Sequence, residues 1–281
     1  MNARAQLTPE LSVALGGAVW RIVAGNAGLM TGPGTNTYLF GAHERTVLDP
    51  GPDEERHLEA ILTAGEDKIR WILATHTHRD HSPLVGKLSR LTGAQVIGLP
   101  PPRDGRQDES FTPDHRPVDG EVLKLGDSTV VAIHTPGHAS NCVCYLLERE
   151  RLLFTGDHVL EGVSPVILPP DGDMGAYIDS LDKLMPLDFE RIAPGHGDLM
   201  PRAKRVITAL RAHRLFREDK VLQRLADLHE ASIATLTPLV YDDVPADRHG
   251  WARLTLEAHL LKLLREGKVS EHDGTWRPAQ A

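Results

Sequence analysis

The chain has 281 residues, 41% hydrophobic and 25% charged, the balance of an ordinary soluble globular protein and long enough for one large and one small domain. A formal net charge of −8 excludes a wholly basic nucleic-acid binder, although residues 202–281 hold 14 Lys/Arg against 11 Asp/Glu while residues 1–201 hold 17 against 28. No apolar run reaches the length of a membrane span, no basic leader is followed by an apolar core, and Cys142 and Cys144 are the two cysteines. Buried reduced thiols in a cytoplasmic protein are therefore expected.

In chain order, Ala18–Ala24 and Thr37–Phe40 read as short strands around the Gly-rich link Asn26–Asn36, which cannot be helix. Its backbone suits close approach to a ligand; a plain hairpin connection is the alternative. Thr46–Asp49 is a strand ending at the turn Asp49-Pro50-Gly51-Pro52, and residues 53–65 form a helix stopped by Gly65. The apolar run Ile69–Ala74 predicts a buried strand. It leads into Thr75-His76-Thr77-His78-Arg79-Asp80-His81, and Ser82-Pro83 then suit an N-cap and first turn of a helix to about Leu91. A strand follows at Gln95–Leu99, and an exposed polar loop from Pro100 to Pro117. Hairpins are expected at Val122–Leu125 with Thr129–His134, and at Cys142–Leu147 with Leu152–Thr155. Alternating strands and helices of this kind indicate an α/β or mixed-layer fold.

The tail reads as helix over 202–229, a shorter helix over Ser232–Pro238 and a third over Asp247–Glu266 with an apolar stripe at Leu254, Ala258, Leu261 and Leu264. A hairpin from Gly267 to Trp276 turns at Asp273-Gly274. Three helices and a hairpin make a winged-helix pattern, which divides the chain into a domain at 1–201 and a second at 202–281.

The stretch after Ala74 carries the chemistry. His76 and His78, two residues apart on an extended loop, can point the same way, and Asp80-His81 can serve a second centre beside them. The turn between a strand end and a helix is where open α/β sheets place their sites. Imidazoles and carboxylates suit zinc, or less selectively manganese or iron. Three further candidates each follow a strand and sit next to glycine: His138 in Pro136-Gly137-His138, Asp157 in Thr155-Gly156-Asp157 and His196 in Pro194-Gly195-His196. Several strands can thus deliver ligands to one edge of a sheet. His134 and His158 lie near these positions and read as structural or supporting groups.

The series His76, His78, Asp80, His81, His138, Asp157 and His196 resembles the metallo-β-lactamase superfamily. The resemblance implies an αββα sandwich over about residues 18–200. It assigns His76, His78 and His138 to one metal, Asp80, His81 and His196 to the other, with Asp157 bridging and Asp49 supporting the loop from behind. Two divalent ions, zinc above all, would share a hydroxide that attacks an ester, thioester, amide or phosphodiester, oriented by Asp80. Asp157 argues against a true β-lactamase, and His78 with His81 against the oxygen-reducing di-iron branch.

With Gly32-Pro33-Gly34-Thr35-Asn36-Thr37-Tyr38 and its winged tail, the chain is similar to the β-lactamase-like protein 2 branch, associated with cleavage of single-stranded RNA. A binuclear hydrolase acting on single-stranded RNA is the expectation, with a hydroxyacylglutathione-hydrolase-like thioesterase or a lactonase acting on a small-molecule ester as the alternative. A role of the tail in packing or in a homo-oligomer is the other use for it. A nucleic-acid-binding protein with a purely structural metal is the remaining class; seven ligands and a bridging carboxylate count against it, because structural zinc sites are closed four-ligand sites.

Overall fold

Strands that are apolar at every position must be covered on both faces. In the computed structural model, which describes residues 7–279, two six-stranded sheets form, each with fully buried strands at its centre. The first sheet runs β1 (Val13–Gly16), β2 (Val19–Val23), β3 (Asn36–Phe40), β4 (Arg45–Leu48), β5 (Ile69–Leu73), β6 (Gln95–Ile97) in that order. Its first four strands are antiparallel; β4, β5 and β6 are parallel, because helices α1 (Glu55–Gly65) and α2 (Val85–Thr92) carry the chain back between them. The second sheet contains β7 (Val122–Leu125), β8 (Ser128–His134), β9 (Val143–Leu147), β10 (Leu152–Gly156), β11 (Arg191–Pro194) and β12 (Met200–Pro201). Its β10–β11 pair is parallel, and the connection between them includes α3 (Met174–Leu184).

Alternation of side chains along β3 shows how the layers form. Tyr38 and Phe40 face the second sheet and join Val130, Tyr145, Leu152 and Phe154 in one buried cluster. Leu39 between them faces the other way, with Ile22, Val47 and Ile72, and packs against Leu58 and Ile61 of α1 and Val85 and Leu88 of α2. The Phe154 ring stacks on Phe40 at 5.5 Å and tilts against Tyr38 at 5.0 Å. The architecture is the α/β fold of two sheets and helices that the sequence implied.

The chain divides into two compact units: one comprises the described residues through Thr135 with Asn141–Val163 and Pro186–Ala203; the other comprises Pro136–Ser140, Ser164–Met185 and the described residues from Lys204. In the second unit lie α4 (Ala203–Leu228), β13 (Ala231–Ser232), α5 (Ile233–Val240), α6 (His249–Arg265), β14 (Val269–His272) and β15 (Thr275–Pro278). Ser232 caps α5 by accepting from Thr235 N at 3.2 Å. Asp273 and Gly274 turn the last hairpin with φ of 49° and 76°, the pair of positive values a tight two-residue turn requires.

Three local expectations are corrected. Ser82 does not cap α2; its hydroxyl donates to Asp108 Oδ2 at 2.8 Å, and the helix begins after Leu84. The 100–117 loop is not wholly exposed: Gln107, Asp108 and Phe111 are buried, because the loop folds back onto the Thr75–His81 stretch. Asp108 N donates to Thr77 O at 2.7 Å, and Thr77 Oγ1 to Gln107 Oε1 at 2.9 Å. The expected stripe of α6 meets its inner face only in part: Ala258 is buried and Leu261 packs against the cluster of Ala252, Leu256, Leu260 and Leu263 with Val221, Leu225 and Trp276. Leu264 is exposed, so the stripe reads about one residue off the buried face.

Candidate metal centre

The candidate ligands, and Asp49 behind them, stand past the C-terminal ends of strands. Asp49 follows β4, His76 to His81 follow β5, Asp157 follows β10 and His196 follows β11. The two sheets are tied together at this edge. Tyr38 Oη donates to Pro194 O at 2.8 Å, Asn36 Nδ2 to Pro194 O and Gly197 O at 2.9 Å each, and Val143 N to Thr75 O at 2.8 Å. His138 sits on a short turn after β8 whose ends are pinned by Thr135 N donating to Cys142 O at 2.9 Å. Two overlapping groups result: His76, His81 and Asp157; Asp80, His81 and His196. Within each group the ligand atoms lie within 4.8 Å of one another. Asp157 thus falls with His76 and His81.

Hydrogen bonds on the far side of each ring decide which nitrogen faces inward. Thr75 Oγ1 has one proton, donated to Asp49 Oδ2 at 2.7 Å, so its 3.0 Å contact with His76 Nδ1 is accepted from an N–H. His81 Nδ1 donates to Asp49 Oδ2 at 2.9 Å, His196 Nδ1 to Gly34 O at 3.2 Å and His138 Nδ1 to Val166 O at 2.8 Å. Four imidazoles therefore carry a proton on Nδ1, and those of His76, His81 and His196 turn Nε2 toward the cluster. His78 presents Nδ1 instead, 2.9 Å from His76 Nε2. Asp49 does three tasks, because its Oδ1 also accepts from Thr75 N at 2.7 Å.

The electrostatics fit a cation. His81 Nε2 is buried without a hydrogen bond and lies 3.4 Å from both Asp80 Oδ2 and Asp157 Oδ1. His196 Nε2 lies 3.2 and 3.3 Å from the same two oxygens. Burial alone would discharge all four groups; the opposite charges outweigh it. The imidazoliums of His81 and His196 hold the Asp80 and Asp157 carboxyls below the usual carboxylate range. In turn, the carboxylates raise His81 well above its ordinary value and His196 to about 10. Carboxylates so paired with imidazolium protons are what a divalent ion binds by displacing those protons. The donor set of imidazole and carboxylate suits zinc, and manganese or iron less selectively.

Two glycines make the close approach possible. A Cβ at Gly156, where φ is +47°, would lie 2.3 Å from Thr75 Oγ1; one at Gly195 would lie 2.5 Å from Asp157 Oδ1 and 2.8 Å from His81 Cε1. Sequence reading did not single out Thr35, whose hydroxyl donates to Asp80 Oδ2 at 3.1 Å and which is itself held by Asn26. Its signal was the Gly-rich link in which it stands. Nor did it find Thr75 as a relay, or the buried His57, which contacts Thr37 Oγ1 at 2.8 Å and Glu10 Oε2 at 2.7 Å behind the Asp49 turn. His134 donates its backbone N–H to Asp119, and His158 is fully buried beside Asp157 in sequence.

Comparison with known proteins agrees with this architecture. Residues 30–196 match the metallo-beta-lactamase superfamily, and residues 232–276 match the beta-lactamase associated winged helix domain. A beta-lactamase-like protein 2 homolog from Caenorhabditis elegans is 31% identical over 265 residues, covering 91% of this chain and 87% of that protein. An atrochrysone carboxyl ACP thioesterase from Aspergillus fumigatus is 32% identical over 259 residues, covering 85% and 78%. A beta-lactamase domain protein from Burkholderia ambifaria shares the fold, with a TM-score of 0.83 at 20% identity over 99% of this chain and 96% of that one. With its ligand series at the strand ends and a winged helix beyond, the chain belongs to the metallo-beta-lactamase superfamily of hydrolases.

Proposed function

We propose that the chain is a binuclear metal-dependent thioester hydrolase. The observation that supports this most is the buried edge where His81 Nε2 faces two carboxylates at 3.4 Å without a hydrogen bond. His76, His78 and His138 would hold one ion, Asp80, His81 and His196 the other, and Asp157 both. Seven ligands exceed what one tetrahedral ion takes. Ions bound there supply Lewis-acid polarisation of the scissile carbonyl and acidify water. The chain's own part is orientation. Asp49 fixes the His81 ring, Thr35 fixes Asp80, and Asp80 would accept a hydrogen bond from the attacking water, holding its lone pair toward the carbonyl carbon while the C–S bond breaks and the thiolate leaves with the water's proton.

Thioesters are the preferred substrate because the thioesterase from Aspergillus fumigatus aligns over 85% of this chain. Cleavage of single-stranded RNA is the second reading, supported by the winged-helix domain and by exposed Arg248, Arg253 and Lys268 within it or at its edges. The test is a parallel assay of the zinc-loaded protein on S-acyl thioesters, lactones, a β-lactam and single-stranded RNA. Thioester turnover exceeding the others by at least about a hundredfold is the expected result. RNA turnover that is lost on Arg248→Glu, Arg253→Glu and Lys268→Glu together and weakens as salt rises would put the second reading first.

A further inference from the structure

A cavity of about 640 Å³ opens beside the metal edge, with His196 in its wall. Its size falls within the range of small-molecule sites. Leu29, Met30 and Pro33 of the Gly-rich link line one side, and Leu160 and Val163 of the segment after β10 line another. Leu29 is 69% exposed, Val163 60% and Met30 48%. Large apolar side chains this exposed, gathered around one cavity, are the mark of a surface that a ligand covers.

Apart from His196, the charged residues of this cavity are acidic. Asp198 and Glu161 both line it. Asp198 is matched by the buried Arg21, whose guanidinium lies 2.8 Å from its carboxylate. Glu161 is not: its Oε2 accepts only from Asp198 N, at 2.8 Å, and among the described residues no cation pairs with it. Gly197 lies against it, since a Cβ there would come within 2.8 Å of Glu161 Oε2. The unmatched carboxylate is thus held against Gly197 and Asp198, the two residues that follow His196.

We infer that this cavity is an acyl-binding site for a large, apolar, uncharged acyl group, and that Glu161 is the residue that rejects acyl groups carrying a negative charge near the scissile carbonyl. The inference rests on the thioester reading and names its substrate class. Apolar acyl chains gain by covering Leu29, Met30 and Val163, whereas a carboxylate or phosphate placed there meets a fixed like charge at short range.

The test uses thioesters of the uncharged thiol N-acetylcysteamine with the zinc-loaded full chain. Decanoyl over acetyl measures the apolar site, and butanoyl over succinyl measures the charge filter at equal chain length. Expected are a kcat/KM ratio of at least about a hundred for the first pair and about ten for the second. The second ratio should fall to about two or less in Glu161→Gln, and the first should fall at least about tenfold in a Leu29→Ser, Val163→Ser double variant. Binding of the non-hydrolysable S-decyl and S-methyl thioethers, read by calorimetry, separates the two ideas. Tight S-decyl binding over S-methyl with no thioester turned over would overturn the hydrolase reading and leave the acyl site standing. Turnover with a flat chain-length profile and equal thioether binding would overturn the acyl site, and a butanoyl-to-succinyl ratio unchanged in Glu161→Gln would remove the role given to Glu161.

Discussion

The inward-facing histidines owe their orientation to groups outside the ligand series. Asp49 binds no ion in this scheme, yet it sets the His81 tautomer directly and the His76 tautomer through Thr75. Asp49→Asn removes one acceptor at nearly constant shape. Zinc affinity should fall by roughly 10–100-fold, measured by competition with a chromophoric chelator; unchanged affinity would contradict the relay. Asp80→Ala and Asp157→Ala should each lower turnover by at least about a hundredfold while keeping a cooperative thermal transition, since neither side chain packs in the apolar core. His134→Ala should be milder, and an Asp80→Ala protein with wild-type turnover would remove the orienting role. Gly195→Ala should also abolish activity, because its methyl would enter the space between Asp157 and His81. The ligand series was legible in sequence because metal-binding side chains repeat at strand ends beside glycine. Thr35, Thr75, His57 and Gln107 were not, because threonine, glutamine and a helical histidine gain their roles only from partners distant in the chain.

At the scale of elements, strands were the easier reading. β2, β3, β5 and the paired strands of the second sheet are mainly apolar stretches bounded by turn residues, and the structure keeps them within a residue or two. β1 and α3 went unread: β1 is a four-residue edge strand of mixed exposure, and α3 follows a loop whose one local signal is the N-cap Asp173. α6 shows why periodicity found only part of the inward face. Its buried side includes His259 and Lys262, polar residues that no apolar stripe reveals. His259 is fully buried, with Glu218 Oε2 3.8 Å from its Nδ1 and Arg214 and Lys262 also acting on it. Burial lowers its pKa to about 4, with Glu218 opposing and Arg214 adding to the effect. The folded pKa is below the unfolded value of about 6.5, so the unfolded chain binds the extra proton first. Stability from this group is complete above about pH 6.5 and is lost as pH falls toward about 4, by up to roughly 3 kcal/mol. Thermal melts of wild type and His259→Gln across that window should converge on the acid side, and parallel curves would show that His259 does not titrate there.

For the whole molecule, composition indicated a large and a small domain, and the acidic balance excluded a wholly basic binder, but neither reaches the substrate. Fold membership narrows the chemistry to hydrolysis and leaves the acyl or phosphodiester choice to the surfaces around the site. Among the described residues no helix is long and apolar enough to cross a membrane. The central claim is that two ions act together on ligands delivered by several strands. It is tested most directly by titrating zinc into the demetallated chain while following elemental content and thioester turnover on the same samples. Turnover should rise with the second equivalent and level off close to two ions per chain. Full turnover at one equivalent, or turnover that survives complete metal removal, would contradict it.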